Sequence, residues 1–88
     1  MLDKGFWADV EVAGEHLRLF SEHNAQGIQF SVYNVNSKSW IVPSEAVDDI
    51  EEGKEKATEH ARSYLKYFGH PGHRSELPPL IWKSARSL

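Results

Sequence analysis

The sequence contains no cysteine. That absence excludes a disulfide framework, a thiolate metal site and a cysteine nucleophile. Long apolar runs are missing too, and no stretch approaches the roughly 20 residues that a membrane-spanning helix needs. The opening residues MLDKGFW lack the positive start and apolar core of a secretory signal. The expected location is therefore cytoplasmic, in a bacterium or phage, with no membrane partner. No glycine-rich phosphate loop is present, and no serine sits in the strand–turn–helix elbow that hydrolases use. His16, His23 and His60 fall in separate elements, so no acid–base pair is assembled locally. The expectation is a protein that is not an enzyme and carries no cofactor.

Positive charge is also scarce where a phosphate backbone would need it. The net charge is −3. Residues 45–61 hold seven acids against two lysines, whereas residues 62–88 hold five basic residues against Glu76 alone. An acidic middle and a basic end do not make one broad cationic surface. What the sequence does have is apolar and aromatic content, 40% and 11% of its 88 residues. That suffices for one packed domain and is too short for two self-sufficient cores. With neither disulfide nor metal, such a domain relies on packing or on oligomerisation.

Alternation at every second position marks the strands. In FWADVEV, Phe6, Ala8, Val10 and Val12 share one face and Trp7, Asp9 and Glu11 the other. Ala13 to Glu15 reads as a turn, and HLRLF follows with Leu17 and Leu19 inward. SEHNAQG (21–27) reads as a polar loop. In IQFSVYNV, Ile28, Phe30 and Val32 point inward, and a turn spans Asn34 to Ser39. SWIV then brings Trp40 and Val42 inward and leaves Ile41 outward. Pro43 reads as the end of the strands, since its ring removes a ladder donor. Two successive hairpins predict an antiparallel sheet of three to four strands.

A helix of about 20 residues follows. Asp48 and Glu51 have the spacing of a capping box. Ile50, Ala57, Ala61, Tyr64, Leu65 and Phe68 form one apolar stripe. Acids crowd its start and Arg62 and Lys66 its end, as the helix dipole favours. Gly69 and Pro71 end it. Gly53, Ala57 and Ala61, four apart, predict a close approach of helix backbone to sheet. The fold class is thus α+β, in the order ββββα: one long helix across one face, with residues 71–88 as a C-terminal strap latched on.

Three places invite a functional reading. His70 and His73 are separated by Pro71-Gly72, a turn with too few partners for a zinc site, so no metal is expected. Leu77-Pro78-Pro79-Leu80 lacks the spacing that proline-reading domains require. Here the prolines stiffen a strap that carries Leu80, Ile81 and Trp82 onto apolar surface. The third place is the outer face of the sheet, with Trp7, His16, Arg18, Phe20, Tyr33 and Ile41 beside Asp9, Glu11 and Ser31. Aromatics beside a basic residue stack nucleic-acid bases, and tryptophan, tyrosine and arginine are also enriched in protein interfaces. Alternatively, the strap covers this face.

The segment GKEKATEHARSYL resembles the last helix of double-stranded-RNA-binding domains, a likeness that gives Lys54 and Lys56 the role of gripping phosphates. The stretch from Ile28 to Pro79 is distantly similar to HicB-type antitoxins in its strands, helix, glycine turn and proline-bearing tail. Both likenesses imply only a hairpin-then-helix arrangement. No motif names an activity. The expected function is a small interaction module that binds a protein partner or a second copy through the outer face or the strap. The binding candidates are Trp7, Arg18, Phe20, Tyr33, Ile41 and Trp82, and the alternative is nucleic-acid binding by the same aromatics.

Overall fold

Alternating side chains close into a meander whose inner face is roofed by one helix. The computed structural model describes residues 4–12, 14–68 and 80–85. In chain order the elements are β1 (Lys4–Val12), β2 (Glu15–Asn24), β3 (Gly27–Asn34), β4 (Ser39–Ala46), α1 (Ile50–Phe68) and β5 (Lys83–Ala85). The five strands form one antiparallel sheet in the order β4-β3-β2-β1-β5. This is the expected α+β class, with a fifth strand added at the β1 edge.

The core lies between the sheet and α1. Val10, Leu17, Leu19, Phe30, Val32 and Val42 come from the strands and Ala57, Ala61 and Leu65 from the helix. Burial of each of the larger side chains contributes about 1.5–3 kcal/mol. The helix packs on β2 and β3. Gly53 is buried with Ala57 and Ala61, as their spacing predicts. A methyl added at Gly53 would collide with the Ser21 side chain. Ser21 is itself fully buried and donates a 2.8 Å hydrogen bond to the carbonyl of Ile50. Strand and helix are therefore tied at the first helical turn by a small residue and a hydroxyl. At the far end, buried Asn34 donates to the Tyr64 hydroxyl at 2.9 Å and accepts from the Ser37 amide at 3.1 Å. The ring of His60 stacks on Phe30 with centroids 5.4 Å apart.

Several local expectations are corrected. Residues 21–24 are not loop but the second half of β2, paired with β3 through a two-residue turn at Ala25-Gln26. Asn24 Oδ1 accepts the Gln26 amide across that turn, an Asx-type closure. Gly27 beyond it takes φ 114°, where a side chain would be strained. The capping pair is one residue later than its spacing implied: Asp49 accepts the Glu52 amide, and Glu52 accepts the Asp48 amide. Pro43 does not end the strands, because β4 runs on to Ala46. It is tolerated there because β4 is an edge strand with shifted register, where no ladder donor is required.

That shift has the largest structural effect. Val32 pairs with Val42, but the next residue, Tyr33, pairs with Trp40, so Ile41 is the extra residue of a bulge. The bulge resets the alternation. Trp40 moves to the outer face beside Tyr33, and Ile41 packs against the core. Both assignments drawn from strict alternation are reversed.

Residues 80–85, the described part of the strap, are docked, though differently from either expectation. Leu80 and Trp82 pack against the core cluster, on the helix side. Ile81 remains 74% exposed and is not part of the latch. Gly5, Phe6 and Trp7 then pair with Ala85, Ser84 and Lys83. The described residues of the strap reach the core from the β1 edge, so apart from Lys83, which lies against Trp7, they do not cover the outer aromatics. His70, His73, Pro78 and Pro79 lie outside the described residues.

Candidate functional site

The inner face of the sheet is occupied by α1 and the strap. Among the described residues, no element packs over the opposite face. Strand alternation sends Trp7, Asp9 and Glu11 there from β1, and His16, Arg18 and Phe20 from β2. β3 adds Ser31 and Tyr33, and the bulge adds Trp40 from β4. Sequence reasoning therefore brought Trp7, Arg18, Phe20 and Tyr33 to one surface, and the register keeps them together. Ile41 and Trp82 do not belong to it: the bulge turns Ile41 inward, and Trp82 is taken up by core packing.

The face has two halves. On β3, β4 and the adjoining part of β2 lies an aromatic cluster. Tyr33 meets Trp40 edge-on with centroids 4.8 Å apart, and Phe20 lies 6.0 Å from Trp40. Ser31, which points outward from β3, is nonetheless buried. Trp40 itself is 52% exposed, a large apolar surface left in water.

The other half, on β1, β2 and β5, is charged. The Arg18 guanidinium binds Asp9 through two bonds, Nε–Oδ1 at 2.7 Å and an Nη–Oδ2 bond at 3.1 Å. The hydrogen bond from Arg18 holds the Asp9 carboxyl below the usual carboxylate range; partial burial opposes this and His16 adds to it. In return Asp9 raises the Arg18 pKa further. His16 Nε2 lies 3.3 Å from Asp9 Oδ1 without the alignment of a hydrogen bond. The guanidinium also sits 4.8 Å from the Trp7 ring centroid, as does Lys83 Nζ. Trp7 thus receives two cations, each a favourable approach to the ring quadrupole.

Besides Glu22, which the register of β2 turns outward, two residues of this face escaped the sequence. Trp40 was hidden by the bulge, although Pro43 within a strand pattern is a signal for one. Lys83 was hidden because a three-residue strand has too little alternation to detect.

Elsewhere, an open groove of about 400 Å³ runs between α1 and the strap, lined by Glu51, Lys54, Glu55, Thr58, Arg62 and Trp82 among others. Lys54 is engaged there: it pairs with Glu51 at 3.2 Å and lies over the rings of Phe6 and Trp82. It is not the free lysine that a phosphate-gripping helix presents. Among the described residues no group of three or more histidines or acids is placed to hold a metal ion. Nor is any described helix long and apolar enough to cross a membrane.

Comparison with family models, with curated proteins and with solved structures finds no match to this chain.

Proposed function

We propose that this protein is a non-enzymatic interaction module that docks a protein surface on the outer face of its sheet. One observation carries the reading: an aromatic cluster of Phe20, Tyr33 and Trp40 stands in water on a face no described element covers, with Trp40 half exposed. Rigid aromatics on a flat sheet offer a large contact area with few rotatable bonds to freeze on binding. The adjoining ion pair supplies orientation more than affinity. The strap is set aside as a docking element, since Leu80 and Trp82 are committed to the core.

The same aromatics favour nucleic acid less. Among the described residues the one arginine on the face is bound at two points by Asp9, and Glu11 projects from the same strand. A phosphate would have to displace one carboxylate while meeting another. Two measurements separate the readings. The immobilised chain is exposed to native lysate and to its own purified form. Captured protein is expected to be lost with Trp40→Glu and kept with Ile81→Glu. A shift assay against mixed oligonucleotides is run in parallel at low and moderate salt. A complex that forms there and weakens steeply with salt defeats the protein-docking reading in favour of phosphate contacts. Capture indifferent to Trp40→Glu defeats the assignment of the face.

A further inference from the structure

Resting on that reading, we infer that the occupant of the outer face is a second copy of this chain, packed face to face about a two-fold axis parallel to the strands. Three features lead there.

The first is the division of charge. The β1–β2–β5 half carries Asp9, Glu11, Arg18, Glu22 and Lys83, whereas the β3–β4 half presents Tyr33 and Trp40 without a formal charge. A two-fold axis along the strands lays the charged half of one copy over the aromatic half of the other. No like charges then oppose one another, and Lys83 of each copy, whose ammonium reaches inward over Trp7 of β1, comes to the β4 strand that carries Trp40 in its mate. Lys83 already occupies such a position over Trp7 within its own chain, and a lysine between aromatic rings is a favourable desolvated arrangement. The other in-plane axis, across the strands, would set charged half on charged half and aromatic half on aromatic half. The face is self-complementary for one symmetry and not for the other, as an isologous contact requires.

Area is the second feature. Four strands of eight to ten residues bound the face. At ~4.8 Å between strands and ~3.3 Å per residue the flat footprint is roughly 500–600 Å². Side-chain relief brings this near the ~800 Å² per partner of a standard interface. A small face of this kind suits a mate that uses the whole of it. A second copy does so by symmetry.

The third is protection of the sheet edges. The β4 edge is interrupted by the bulge and Pro43, both devices that discourage edge-to-edge growth. Association through the β4 edge is disfavoured, and association through the face closes at two copies as a sandwich of aligned sheets.

Sedimentation equilibrium on the purified chain from about 1 to about 300 micromolar, a range that brackets a weak interface, tests this. The expected result is a reversible monomer–dimer equilibrium. Trp40→Glu and Lys83→Glu should each raise the dissociation constant roughly tenfold or more. Ile81→Glu should leave it unchanged, and circular dichroism should find all three variants folded. A parent chain that stays monomeric throughout overturns the second copy as occupant; the docking face itself then stands or falls on the capture experiment. A dimer that survives both Trp40→Glu and Lys83→Glu but is broken by Ile81→Glu overturns this inference and the reading beneath it.

Discussion

Gly53 stands where α1 crosses β2, and a single methyl measures how close that crossing is. In an open helix, Gly→Ala is stabilising by about 1 kcal/mol. Here the new Cβ would strike Ser21 Oγ, and turning the hydroxyl away breaks its bond to Ile50. Overpacking of this kind costs about 1–3 kcal/mol, so Gly53→Ala is expected to destabilise. Urea denaturation reads the sign directly. In a Ser21→Ala background, where the contacts with the residue-21 Cβ at 3.2 Å and with Val47 at 3.4 Å remain, the same change should cost less. Additive effects of the two changes would show that the residues do not meet. Asp9 offers a test through protons. Its folded-state pKa lies below the ordinary aspartate value of 3.8, chiefly because of the bond from Arg18. Its contribution is therefore present above about pH 4 and is lost as pH falls through the depressed value. Asp9→Asn should flatten that part of the acid-unfolding curve while altering neutral-pH stability by less than about 1 kcal/mol, as for other surface pairs. An unchanged curve between pH 4 and pH 2 would dissociate Asp9 from Arg18 in solution.

Among the elements, the strap separates packing from mere proximity. Trp82 packs against the core and Ile81, its neighbour, is 74% exposed. Trp82→Ala should cost about 2 kcal/mol, which in a domain of this size lowers Tm by roughly 10 °C. Ile81→Ala should shift it hardly at all. Equal effects in calorimetry would mean that the strap is held by β5 pairing rather than by the indole. The same elements mark how far the sequence could be read. β1, the start of β2, β3 and α1 were legible because each carries several apolar residues at one period. The second half of β2 was not, because its inward residue is Ser21, whose hydrogen bond to Ile50 lies 29 positions away. Nor was the outer site complete. Alternation assigned Trp7, Arg18, Phe20 and Tyr33 to it, but a bulge is set by how β4 meets β3, and no local pattern in SWIV encodes that. β5 depends wholly on its partner, β1.

At the scale of the molecule, one helix covers one side of a sheet whose other side is uncovered among the described residues. If that side closes on a second copy, stability becomes a property of concentration. Raising the chain from about 2 to about 200 micromolar, an interval over which mass action pulls the equilibrium toward the bound form, should raise Tm measurably. The Trp40→Glu variant should melt at one temperature regardless. A concentration-independent parent would instead describe a monomer whose outer aromatics tolerate water.

The pairing of β5 with β1 has a mechanical consequence. Gly5 faces Ala85 and Trp7 faces Lys83, so the two strands run away from a shared corner, with the early end of one beside the late end of the other. A pull applied through both ends of the described chain would load this ladder like the slider of a zipper, one rung after another, instead of shearing every rung at once. The third rung frees Lys83, and the next residue drawn out is Trp82, which lifts from Lys54 and opens the groove along α1. Tethered by its ends, the protein should yield at low force in a small first step, leaving β1 to β4 and the helix standing. Tethered instead across β2 and β3, through the turn at Ala25-Gln26, it should hold until the core gives way as a whole.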